Sequence, residues 1–134
     1  MERSTKHEMA YMRALIVDDS RALRRILGDM LRHLGYDVTE AVNGRDALEH
    51  LDDGISPDVM LVDWNMPEMN GLEFIKRVRA QDRFAETPLM MVTTETEMEQ
   101  MATALAAGAN EYVMKPFGKE MIADKLQLLG LAIA

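Results

Sequence analysis

The sequence predicts an α/β fold, one doubly wound domain in which a five-stranded parallel sheet carries helices on both faces. Three observations predict it. Short, wholly apolar runs recur at 14–17 (ALIV), 59–62 (VMLV), 89–92 (LMMV) and 112–114 (YVM), as strands buried on both faces require. Stretches between them place apolar residues three and four apart, the spacing of amphipathic helices. The two patterns alternate along the whole chain, which calls for right-handed crossovers and a parallel sheet.

The first strand, ALIV, runs into a polar VDDS. Ala22, Leu23, Ile26, Leu27, Met30, Leu31 and Leu34 then trace one helix face, and Gly35 stands where a helix C-cap belongs. YDVTEAV at 36–42 alternates in polarity, which suits a strand exposed on one face or at a sheet edge. Asn43-Gly44 and Asn70-Gly71 could each be a hairpin turn, but helical periodicity follows both, so they are expected to open helices. The first of these should span about 44–53, and Leu72, Ile75 and Val78 mark the second. Helices are also expected over 96–107 and 118–129, with Thr96 and Glu99 spaced as a capping box for the former.

Composition excludes several classes of function. The 134-residue chain has room for one ordinary domain. We expect an extension over 1–11 and a single domain over 12–134, with no output domain. A net charge of -8, from 23 acidic and 15 basic residues, argues against nucleic acid and membranes as partners, since both need a basic surface. The absence of cysteine removes disulfides, thiolate metal sites and thiol nucleophiles. No apolar run reaches membrane length, and MERSTKHEMAY leads into no signal-peptide core, so a cytoplasmic address is expected.

In open sheets of this kind the chemistry gathers beyond the carboxyl ends of the strands. Those ends read VDDS, VDWN, VTTE and VMKPF, so Asp18, Asp19, Asp63, Thr93 and Lys115 should meet. Three neighbouring carboxylates resist ionising together. Lys115 offsets part of that charge, and a hard divalent cation suits the rest. Oxygen donors too few to close a cage point to Mg2+, which keeps waters and accepts phosphate oxygens. A carboxylate nucleophile, a cation, a lysine and a hydroxyl donor are what phosphoryl transfer onto aspartate requires. Asp63, on the most central strand, is the expected nucleophile. Singly, each residue has an ordinary role: Asp19 or Ser20 could cap a helix, and Thr93 could bond nearby backbone. Their joint placement at four strand ends carries the functional reading.

Together, VDDS, DWNMPEMNG, TTE and KPF resemble the signature of the response-regulator receiver domains of two-component signalling, most closely the stand-alone chemotaxis type. The resemblance covers about residues 12–130 and implies a flavodoxin-like sheet of strand order 2-1-3-4-5. It implies Asp63 as the phosphorylation site and a Mg2+ site made by Asp19, Asp63 and the Asn65 carbonyl, with Asp18 acting through water. Lys115 and Thr93 would contact the phosphoryl group, Tyr112 would swing inward with Thr93, and the Lys115-Pro116 bond would be cis. Its implied partners are a histidine kinase or phosphotransfer protein and a downstream protein. The latter would bind a face built from the fourth helix, fifth strand and fifth helix, including Met98, Met101, Tyr112 and Lys125. The alternative output is a phosphate sink. On this reading the chain catalyses only its own phosphorylation and dephosphorylation.

Two positions depart from the common pattern. Thr94 replaces the usual small residue and should narrow access to the phosphoryl pocket, and TETEMEQM is acidic where the flagellar-motor-binding relative is basic. Met98, Met101 and Met121 could serve a binding face, but with 13 methionines in the chain core filling and surface scatter are the first expectation. Two other functions compete. A haloacid-dehalogenase-type phosphatase would want a second aspartate where Asn65 stands, and room for a cap domain. A scaffold that never turns over phosphate would not need the complete set of Asp18, Asp19, Asp63, Thr93 and Lys115.

Overall fold

The apolar runs VMLV and LMMV become strands with no exposed residue. All of β3 (Val59–Asp63) and β4 (Leu89–Thr93) is buried. Residues 12–134 are described by this structure, a computed structural model; the extension expected over 1–11 lies outside them. With β1 (Met12–Val17), β2 (Tyr36–Ala41) and β5 (Glu111–Met114), the strands form one parallel sheet in the order β2-β1-β3-β4-β5. The alternating β2 lies at an edge, and β3 at the centre.

Alternation along each strand divides the core into two layers. Leu15, Val17, Met60, Val62 and Met91 face helices α2 (Gly44–Asp52), α3 (Gly71–Arg79) and α4 (Met101–Ala107). Ile16, Leu61, Met90, Val92 and Val113 face α1 (Arg21–His33) and α5 (Lys119–Leu128). Burial of this apolar surface is the main force holding the helices to the sheet.

Helix starts follow the local sequence. The Ser20 hydroxyl accepts from the Leu23 N–H at 3.2 Å, and Asn43 Oδ1 accepts from the Asp46 N–H at 2.7 Å. Asn70 and Glu73 form a reciprocal capping box at 2.9 and 3.1 Å. Both Asn-Gly pairs therefore open helices, as the periodicity implies. Gly35, at φ 94°, ends α1 in the left-handed region that glycine tolerates.

The fourth helical segment corrects the sequence reading. The single helix expected over 96–107 is a 3₁₀ helix over Glu95–Gln100 followed by a short α4. Thr94, not Thr96, is its N-cap, and the Thr94 N–H donates to Glu97 Oε1 at 3.0 Å. The pattern of Thr followed three residues later by Glu occurs twice in TTETEMEQ. The nearer copy prevails because β4 ends at Thr93 and the chain turns at once.

The terminal LGLAIA packs down. Leu131 and Ile133 join the α1/α5 layer, the Tyr36 hydroxyl donates to the Ala132 carbonyl at 2.9 Å, and the Ala134 N–H reaches the Leu34 carbonyl at 2.8 Å. No helix among the described residues is long and apolar enough to cross a membrane.

Candidate functional site

The ends of β1, β3, β4 and β5 deliver the expected side chains to one edge of the sheet. Asp18 follows β1, and its carboxylate accepts from the Ser20 N–H at 2.8 Å. Asp63 closes β3. Asp18 and Asp63 are 3% and 5% exposed, whereas Asp19 is open to solvent. Each of the three offers an oxygen within 4.8 Å of the others. Lys115, just beyond β5, donates to Asp63 Oδ1 at 3.1 Å, and the Lys115-Pro116 bond is cis.

The electrostatics are unbalanced. Burial first, and then the charge of Asp18, push the Asp63 carboxyl up to about 6, against the opposing pull of Lys115. Burial likewise raises Asp18, although its bond from Ser20 and the charge of Lys115 work the other way. One lysine does not compensate three carboxylates. An all-oxygen donor set with two buried members and an open third fits a hard cation such as Mg2+, for which Asp18, Asp19 and Asp63 supply the side-chain oxygens. Asn65 lies exposed in the loop leaving β3.

Thr93, fully buried, ends β4. Register pairs Thr93 with Met114 and Met91 with Tyr112. Thr93 and Tyr112 therefore lie on the same face of adjacent strands, one step out of line. The Tyr112 ring is half-buried against the α2–α4 core layer, and Lys125 Nζ lies 4.6 Å from its centroid. Lys125 also bonds Glu111 at 2.8 Å. Although burial alone would raise Glu111, hydrogen bonds from Lys125 and the Tyr112 N–H hold its carboxyl below the usual range.

Among the methionines assigned to a partner face, Met98 is half-buried and Met101 is only 4% exposed. Met101 is thus core and not face, because the 3₁₀ turn before it rotates it toward the sheet. Met121, by contrast, is 43% exposed. The hydroxyl of Thr94, expected to crowd the pocket, hydrogen-bonds the Thr96 hydroxyl at 3.0 Å.

A match to the model of the response regulator receiver domain spans residues 14–127. The chain belongs to this family. Receiver domains are signalling proteins, so the phosphatase reading falls away. The domain is 48% identical over 119 residues to chemotaxis protein CheY1 of Helicobacter pylori strain J99, covering 88% of this chain and 96% of that one. Its fold superimposes on Vibrio cholerae CheY4 with a TM-score of 0.83 at 39% identity, over 89% of this chain and 98% of that one. A receiver domain of a sensor histidine kinase from Pseudomonas aeruginosa PAO1 has a TM-score of 0.80 at 28% identity. It covers 89% of this chain and 98% of its own, and that structure has a magnesium ion coordinated in the active-site cleft.

Three residues of the receiver site escape sequence reasoning. Arg24 of α1 donates to the Asp18 carbonyl at 2.7 Å and to Glu40 at 3.1 Å, fixing the loop that carries the acidic pair. Arg21 and Arg25 look the same in sequence but are exposed. Gly71 brings α3 against the site, since a Cβ there would lie 2.8 Å from the Asp63 carbonyl oxygen and 3.0 Å from Trp64 Cα. Its place in NG is the only sequence signal. Glu97 reaches back to the end of β4, for which the first of the two Thr-to-Glu spacings is an ambiguous hint.

Proposed function

We propose that this receiver domain accepts a phosphoryl group on the Asp63 carboxylate from a histidine kinase or phosphotransfer protein, and that the modification switches a protein-binding face. The observation that carries the reading is the Asp63 carboxylate itself. It is buried at the end of the central strand, 3.1 Å from Lys115 and within 4.8 Å of an oxygen from Asp18 and from Asp19. Asp18 lacks the direct lysine partner that Asp63 has; its carboxylate accepts instead from the Ser20 N–H of its own loop.

In the transfer, an Asp63 oxygen bonds to phosphorus as the bond from phosphorus to the donor's nitrogen breaks. Mg2+, when bound by Asp18, Asp19, Asp63 and the Asn65 carbonyl, supplies the positive charge that the transferring oxygens need. Lys115 turns from the carboxylate to a phosphoryl oxygen. A rigid strand end holds the nucleophile in place, so positioning supplies much of the catalysis.

The signal then leaves through Thr93, whose hydroxyl donates to the phosphoryl group and vacates space for the Tyr112 ring. The output surface comprises α4, β5 and α5, with Met98, Tyr112 and Lys125 on it. Similarity to chemotaxis proteins supports a downstream protein target there, with a phosphate sink as the other output, and the whole reading assumes a cytoplasmic address.

Incubation with acetyl phosphate and Mg2+ should add one phosphoryl group to the intact mass, as an acid-stable, base-labile adduct absent from Asp63→Asn. Full-stoichiometry labelling of Asp63→Asn would overturn the assignment of the nucleophile.

A further inference from the structure

The switch hydroxyl already has a partner in the unphosphorylated protein. Thr93 Oγ1 lies 3.3 Å from Glu97 Oε1 and 3.3 Å from the Thr94 carbonyl oxygen. A hydroxyl has one proton to donate. Between acceptors at equal distance, an ionised carboxylate is the stronger. The same Glu97 oxygen accepts the Thr94 N–H at 3.0 Å, and the Glu97 N–H donates to the Thr94 carbonyl at 3.0 Å. These bonds fold the carboxylate back over the end of β4, leaving Glu97 half-buried while Thr96 and Glu99 beside it are exposed.

A glutamate that reaches back to its N-cap is an ordinary helix device. What that role does not require is an oxygen also within reach of the buried Thr93 hydroxyl. We propose that Glu97 is a positioning residue of the switch, holding the Thr93 hydroxyl in the resting state so that a phosphoryl group on Asp63 must capture it in competition. The inference rests on the reading of Asp63 as phospho-acceptor. Its consequence is a domain biased toward rest, because any bond Thr93 makes only in the resting state lowers the population of the switched state. The acidic 3₁₀ segment then has a role inside the domain, separate from any partner it meets.

The test uses beryllofluoride, a stable phosphoryl mimic, at fixed saturating Mg2+. Its midpoint is read by Trp64 fluorescence and by the amide resonances of Trp64 and Lys115 in wild type, Glu97→Ala, Thr93→Ala and the double variant. The Thr93 methyl resonance of wild type and Glu97→Ala is recorded without mimic. Glu97→Ala should shift that methyl resonance and lower the midpoint by about three- to tenfold, the net scale of one ordinary hydrogen bond. Glu97→Gln, which keeps an acceptor but no charge, should fall between. In the Thr93→Ala background the Glu97→Ala effect should vanish. An equal midpoint change in both backgrounds would show that Glu97 acts as a cap or as a repelling charge, and would overturn the inference. A Glu97→Ala midpoint within twofold of wild type would also overturn it. Absence of any response in wild type would instead overturn the underlying reading of Asp63, and this inference with it.

Discussion

Asp63→Asn should make the metal-free protein more stable, by an amount that grows as pH rises from 3.8 to about 6 and is complete above it. The carboxyl sits at about 6 against an ordinary 3.8, because burial and then Asp18 disfavour its charge more than Lys115 favours it. Between those two values the folded chain keeps a proton that the unfolded chain has released. Stability therefore falls as pH rises through that window, and the whole penalty is present above about 6. The displacement corresponds to about 3 kcal/mol. Asparagine has nearly the same shape and no charge, so it escapes the penalty; the pull of Lys115, whose 3.1 Å ion pair it gives up, is already contained in that net displacement. The gain is about 3 kcal/mol at most at about pH 8, or on the order of 10 °C in Tm for a domain of this size. Below roughly pH 4 wild-type Asp63 is itself protonated and the advantage should disappear. Thermal melts of both proteins in a chelator, stepped from about pH 8 to about pH 4, isolate the effect of Asp63 and of the neighbours coupled to it, since titrating groups that do not sense Asp63 cancel in the difference. A less stable Asp63→Asn at the alkaline end would refute the reasoning. So would a constant gap across the range.

Trp64 is 8% exposed and adjoins Asp63, so a titration to tens of millimolar Mg2+ should change its emission; unchanged emission and unchanged loop NMR shifts would remove the metal assignment. Thr93→Ala should still accept phosphate at Asp63 but lose coupling of about 1–3 kcal/mol to Tyr112. Equal mimic-induced NMR changes across 96–125 in wild type and Thr93→Ala would show that the hydroxyl carries no signal. Gly71→Ala, whose Cβ would lie 2.8 Å from the Asp63 carbonyl oxygen, should lower stability by about 1–3 kcal/mol in urea. It should also weaken Mg2+ binding, because α3 must move off the strand that carries the site; full stability would mean that this close approach is not required.

The sequence by itself determined the alternation of strand and helix, the helix openings at Asn43 and Asn70, and the meeting of Asp18, Asp19, Asp63 and Lys115 at the strand ends. These were legible because periodicity and capping are local, and because a parallel sheet always brings its strand ends together. Tertiary structure decided what depends on distant or competing neighbours. Met101 and Met121 are indistinguishable as letters, yet Met101 is core, where the 3₁₀ turn after β4 sets the rotation of α4, and Met121 lies on the exposed side of α5. Two Thr-to-Glu spacings fit a capping box equally well, and the point where β4 leaves the sheet selected the first. Three arginines share the first helix's opening turns, and only Arg24 points at the Asp18 carbonyl. The elevation of Asp63 and the attachment of Thr93 to Glu97 belong to the same class. Burial, charge separation and the choice of acceptor for one proton are set by packing in three dimensions, which residue order constrains only through the finished fold.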